Sequence, residues 1–163
     1  MDDTPTTMTD DTLDIRQDDL THHAVIALLQ EHLRDVAGLS PPESVHALGI
    51  ERLREADITF WTVWQGDALL GCGALKALEE AHGEIKSMRT PAAMRRRGAA
   101  KAVLGHILRE AERRGYRRLS LETGSSDAFA PARALYRAHG FVECGPFAEY
   151  VPDRNSVFMT RTF

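Results

Sequence analysis

The chain has 163 residues, enough for one domain with a core of its own and too few for two of ordinary size. Hydrophobic residues make up 43% and charged residues 27%, which excludes a fibrous chain and wholesale disorder. Lys and Arg total 20 against 24 Asp and Glu, a formal charge of −4, which argues against general affinity for nucleic acid. No apolar run approaches the ~20 residues that cross a bilayer. The first residues carry no basic, apolar and small-residue signal pattern. Cys72 and Cys144 form no framework of spaced pairs, so free thiols in a reducing cytoplasm are expected.

Residues 1–11 are polar, rich in Thr and Asp and aperiodic, and read as a loose tail before a single domain over 12–163. Leu13-Asp14-Ile15 alternates as a short strand. Thr21 or a neighbour caps a helix with Val25, Ile26, Leu29, Leu33 and Val36 on one side, ending at Gly38. Ser40-Pro41-Pro42-Glu43 opens a second, shorter helix with proline in its first turn. Residues 59–65 are β-branched and aromatic, Gly66-Asp67 turns, and 69–78 return as the partner strand. Gly71 and Gly73 mark a bulge or close backbone packing there. A polar turn over 79–83 leads to a strand over 84–90. Residues 99–114 predict a helix with Ala100, Val103, Leu104, Ile107, Leu108 and Ala111 as its apolar stripe and Gly115 as its stop. A strand over 117–123, a helix over 129–139 with Pro131 in its first turn, and strands over 141–147 and 156–163 follow. This order is an antiparallel meander feeding one βαβ crossover. It predicts an α/β (α+β) domain: a mixed, mostly antiparallel sheet with one central parallel pair and flanking helices.

Charge is uneven along the chain. Residues 89–118 hold ten Lys/Arg and two Asp/Glu, whereas the first nineteen residues hold seven Asp and only Arg16. A basic middle in an acidic protein suggests a localised anionic ligand or, more plainly, a solvated helix face. The segment from Met88 to Lys101 joins a strand to a helix and has the makings of a pyrophosphate cradle. Gly98, Ala99 and Ala100 let a ligand approach the backbone, the first helical N–H groups lack internal partners, and Arg95, Arg96, Arg97 and Lys101 add charge.

Arg95-x-x-Gly98-x-Ala100, after a strand and opening a helix, resembles the R/Q-x-x-G-x-G/A signature of the GNAT superfamily of acyl-CoA-dependent N-acetyltransferases. Ala132-x-x-Leu135-Tyr136-x-x-x-Gly140-Phe141 resembles that family's second motif, at a suitable spacing. The resemblance implies acetyl-CoA as cosubstrate and no metal. It implies that backbone groups of Met88 and Thr90 pair with the pantetheine arm like an added strand, and that N–H groups from Arg96 to Lys101 hold the pyrophosphate. The strands before and after the basic helix would splay to admit the cofactor. Tyr136 occupies the place of the acid that protonates the departing thiolate. Glu84 matches a position where some members carry a general base; a two-residue period puts Glu84, Lys86 and Met88 on one face.

One departure stands out: Phe129 occupies the place where the family's second motif often begins with Asn. Competing motifs fail on spacing. His82-Gly83-Glu84 has the H-x-E of zinc deaminases but no C-x-x-C follows, and neither H-E-x-x-H nor a phosphate loop is present. His46 and His82 are pocket-lining candidates or plain surface residues. Neither cysteine sits beside a recognisable base, which disfavours an acyl-cysteine route. The reading is therefore a soluble, cytoplasmic N-acetyltransferase that moves acetyl directly to a small-molecule amine, with no nucleic-acid or membrane partner; a homodimer is compatible with it. Its alternative is an inert acyl-CoA-binding regulatory domain of the same fold. The expected acceptor region holds Glu43, Glu149 and Asp153 but also His46, Lys86 and Arg89, a mixture suited to a zwitterion or an amine carrying a carboxylate.

Overall fold

The structure is a computed structural model and describes residues 12–44, 48–91 and 94–163. The expected tail and His46 lie outside the described residues. Seven strands form one sheet: β1 (Asp14–Gln17), β2 (Ile58–Gln65), β3 (Ala68–Glu79), β4 (His82–Arg89), β5 (Arg118–Gly124), β6 (Val142–Cys144) and β7 (Ser156–Thr162). Their spatial order is β1-β2-β3-β4-β5-β7-β6, and every neighbouring pair is antiparallel except β4 and β5. That parallel pair needs a long crossover, supplied by α3 (Ala99–Arg113). The remaining helices are α1 (His23–Leu39), α2 (Ile50–Leu53) and α4 (Ala130–Ala138). Among the described residues no helix is long and apolar enough to cross a membrane.

Strand alternation divides the core in two. On one face Trp61, Val63, Leu75, Ile85, Leu119 and Leu121 meet the expected stripe of α3, with Ala99 buried in place of Ala100, together with Tyr136 of α4 and Phe141. On the other, Phe60, Trp64, Cys72 and Ala74 meet Val25, Leu28 and Leu29 of α1 and Leu53 of α2. Helix α1 is also fastened to β4 by charge. Arg89, its side chain 12% exposed, donates to Glu31 at 2.8 Å and to Asp35, one helical turn further on.

Several local expectations are corrected. Helix α1 is capped by His22, whose Nδ1 accepts the Ala24 N–H at 3.1 Å, and it continues past Gly38 to Leu39. Its stop is Ser40, held extended as the residue before Pro41. The paired prolines do not open a helix; Pro42–Ser44 is a single 3₁₀ turn, and α2 forms later. Strand β6 is confined to Val142–Cys144, because Phe141 turns inward with its N–H on the Tyr136 carbonyl and Pro146 cannot donate to a ladder. Phe129 closes a 3₁₀ turn (Asp127–Phe129) ahead of α4 instead of starting that helix.

The most consequential correction lies in β4. Glu84 and Lys86 do share a face, but Met88 does not join them. Ser87 has φ +55°, and the register against β3 slips between the Ala74–Lys86 and Cys72–Arg89 pairs. The bulge reverses the alternation, so Met88 packs with the α3 cluster and its sulfur lies against Gly73.

The far end of β5 is tied to α4 by a backbone–ring contact. The Phe129 ring lies so close over Gly124 that any Cβ there would overlap it. Gly124→Ala is expected to destabilise the fold by about 1–3 kcal/mol. In a Phe129→Ala background the same change should cost less, by about 1 kcal/mol, in a double-mutant cycle read by denaturant unfolding.

Candidate active site

Strands β4 and β5 pair over three positions, from His82–Arg118 to Glu84–Ser120. Beyond Glu84 they part, and a cavity of about 130 Å³ opens between them. Ile85 to Met88 line it from β4 and Glu122 to Gly124 from β5. Phe129, Ala132 and Tyr136 close it on the α4 side, and His32 and Val36 of α1 close it on the other. The splay expected on either side of the basic helix is thus present. It leaves inner backbone edges on both strands outside any ladder.

Four ionisable residues line this space, His32, Lys86, Glu122 and Tyr136, and the last two stand out. Tyr136 is buried, stacks edge-on against Phe141, and lines the cavity as expected. Burial, aided by the nearby Glu122 carboxylate, raises its phenol above the ordinary range, so it keeps its proton at neutral pH. Glu122 was not anticipated. Burial pushes its carboxyl up to about 7; a hydrogen bond with Ser156 and the Lys86 charge oppose this, while Glu84 and Asp153 act in the same direction as burial. A carboxyl poised near neutrality suits reversible proton transfer. Its sequence signal was slight: a carboxylate inside the crossover strand, one residue after Leu121 and on the opposite face from it.

Glu84 lies deeper, 2% exposed, at the vertex where the strands still pair. Its Oε2 accepts from Lys86 Nζ at 3.0 Å and from the Tyr150 hydroxyl at 2.6 Å, while Lys86 also donates to Tyr150 at 2.8 Å. Burial and the Glu84 carboxylate raise the Tyr150 phenol. This closed triad engages Lys86 with Glu84. Arg89 is likewise engaged by Glu31 and Asp35. The two cations that suggested a carboxylate-bearing acceptor are therefore both already in ion pairs. His82 is held by Ser120 at 2.7 Å, on the covered side of the sheet.

The basic loop is arranged as its composition suggests. Arg95, Arg96, Arg97 and Gly98 are exposed, Gly98 takes φ +80°, and no side chain caps the helix. The Ala102 N–H is bonded to the Gly98 carbonyl, which leaves the N–H groups of Ala99, Ala100 and Lys101 ahead of the helical ladder. Among the described residues, and apart from its chain neighbours, no atom lies within 4 Å of where a Gly98 Cβ would be, so the approach to this backbone is open. Dipole, open N–H groups and arginines together fit a pyrophosphate. Ala99 itself is buried against β3 and offers only its backbone. Among the described residues no cluster of three His, Cys, Asp or Glu could hold a metal ion. Cys72 is buried, and its thiol is pushed up to about 12.

Comparison with known proteins agrees with this geometry. Residues 22–141 match the acetyltransferase (GNAT) family. The uncharacterized N-acetyltransferase YsnE of Bacillus subtilis is 60% identical over 147 residues, covering 90% of this chain and 97% of that protein. A Klebsiella pneumoniae crystal structure named for acyl-CoA N-acyl transfer superposes with TM-score 0.74 at 25% identity, covering 93% of this chain and 98% of that one. A Bacillus subtilis acetyltransferase solved in complex with CoA shares the fold with TM-score 0.64 at 19% identity, covering 93% and 99%.

The raised Glu122 carboxyl has a stability consequence of definite sign. Between the ordinary value, 4.5, and about 7 the unfolded chain has released this proton while the folded chain still holds it. Its contribution to stability is therefore full below 4.5 and is lost as pH rises through about 7. Glu122→Gln, which does not titrate, should gain thermal stability relative to the parent on moving from pH 5 to pH 8. Parallel melting curves across that range would show the carboxyl to be unperturbed.

Proposed function

The chain belongs to the GNAT family of acetyltransferases, and from that premise we propose that it transfers acetyl from acetyl-CoA directly to a primary amine of a small molecule, in the cytoplasm. The observation that carries this reading is the splayed β4–β5 gap, which has a proton acceptor near neutrality and a protonated phenol on its walls.

Acetyl-CoA supplies an activated thioester. The chain's own residues hold it and move protons. N–H groups from Arg96 to Lys101 receive the pyrophosphate, with Arg95, Arg96 and Arg97 adding charge around Gly98, Ala99 and Ala100. The backbone edge at Met88 and Thr90 offers hydrogen bonds to the pantetheine arm, as a strand edge does to a peptide. An amine must lose a proton to attack. Glu122 takes it, directly or through a water. Glu84 was the expected base; its buried pairing with Lys86 and Tyr150 gives it a second task, to engage Lys86 and so weaken that lysine's hold on Glu122. The Met88 N–H polarises the carbonyl, and Tyr136 returns a proton to sulfur. Cys72 takes no part, since a buried thiol pushed up to about 12 supplies almost no thiolate.

Thiol release from acetyl-CoA across a panel of primary amines tests the reading. Turnover with at least one amine is expected, with a kcat that rises through pH 7 and levels off above it. Glu122→Gln should lower kcat by ~10²–10⁴ and remove that limb. Tyr136→Phe should lower kcat about tenfold to a hundredfold while leaving acetyl-CoA affinity within a few-fold. Tight acetyl-CoA binding with no turnover on any amine would instead favour a regulatory acyl-CoA-binding domain.

A further inference from the structure

Ser87 has features that the reaction above leaves unused. It is a non-glycine residue at φ +55°, a conformation that costs strain and persists only where its surroundings impose it. Its carbonyl accepts the Cys72 thiol at 3.2 Å, which helps hold the bulge. Ser87 is among the residues that line the gap cavity, and its Oγ is buried with no hydrogen-bond partner among the described residues. On the facing wall His32 Nδ1 is in the same condition. Burial, reinforced by the Arg89 charge, lowers His32 to about 4, so its imidazole stays neutral. Buried polar atoms are nearly always paired, and an unpaired one costs stability. Two on opposite walls of one small cavity mark a place whose polar partner arrives with a ligand.

Position says which part of the ligand that is. The anion cradle begins at Gly98, beyond the C-terminal end of β4, and the strand edge at Thr90 and Met88 leads back from it to Ser87. A cosubstrate anchored by its pyrophosphate at the cradle reaches the cavity with its acyl end. We propose that the Ser87 hydroxyl donates a hydrogen bond to the acyl carbonyl oxygen of acetyl-CoA, making Ser87 a catalytic residue of an acyl pocket that His32 closes from α1. The inference rests on the acetyl-CoA reading. No atom is transferred by Ser87: the amine nitrogen bonds to the carbonyl carbon, the carbon–sulfur bond breaks, and the serine keeps its proton while opposing the charge that gathers on the carbonyl oxygen.

The test compares two ligands of the same carbon chain length, acetyl-CoA and S-ethyl-CoA, which lacks the carbonyl oxygen. Calorimetry on the wild type should find acetyl-CoA bound about three- to tenfold more tightly, the yield of one hydrogen bond. Ser87→Ala and Ser87→Gly should both abolish that preference and leave S-ethyl-CoA affinity within about twofold. The glycine variant also relieves the positive φ, so its melting temperature should equal or exceed that of the wild type. A preference retained in both variants, or absent from the wild type, overturns the inference while leaving acetyl-CoA binding intact. Loss of S-ethyl-CoA affinity together with a lower melting temperature would make Ser87 a structural residue and also overturn it. Failure of the wild type to bind either ligand would remove the acetyl-CoA reading itself, and the inference with it.

Discussion

Parallel strands that share only three residue pairs and then separate leave hydrogen-bonding groups along both inner edges with no ladder to join. In this fold that separation is enforced from several directions. The Ser87 bulge shifts β4 against β3 within the parted stretch. Arg89, gripping Glu31 and Asp35, holds α1 across one side of the opening. Phe129, seated on Gly124, holds the start of α4 across the other. The gap is therefore a built part of the domain and not a frayed edge, and each wall brings a different chemistry to it.

Electrostatics within this frame follow from a shortage of cations. Glu84 and Glu122 lie on adjacent strands, and one lysine serves both. Glu84 takes Lys86 and the Tyr150 hydroxyl, and at Glu122 burial outweighs the Ser156 hydrogen bond and the more distant Lys86 charge, which pushes its carboxyl up to about 7. The same burial raises the Tyr136 phenol, so that a group ready to accept a proton and one that holds its proton line a single cavity. Such an arrangement costs stability. A strained serine, unpaired polar atoms and a carboxyl kept near neutrality are features a fold retains where function requires them.

Much of the fold was legible in the sequence. The stripe of α3, the aromatic β2, the Pro131 start of α4 and the βαβ crossover each follow from local periodicity and turn chemistry. The loop from Arg95 to Lys101 was legible as an uncapped helix start with exposed arginines, because glycine, small residues and charge mark such a start locally. What periodicity could not supply were the effects of tertiary contact. A two-residue period put Met88 beside Glu84, and only a bulge held by the neighbouring strand and by Cys72 reverses it. The placement of β7 between β5 and β6 left no local mark, nor did the partnership of Lys86 with Tyr150, 64 residues away. That partnership engages Glu84, the base visible in the sequence, while Glu122, which no local pattern singles out, is the carboxyl raised at the gap.

The central claim is that the space between β4 and β5 receives the arm of acetyl-CoA. A crystal structure of the protein grown with CoA tests it most directly. The expected result is a pantetheine arm lying between the two strands, hydrogen-bonded to the backbone of Met88 and Thr90, with its pyrophosphate on the N–H groups from Arg96 to Lys101. An arm bound elsewhere on the surface, with β4 and β5 closed against each other past Glu84, would contradict it.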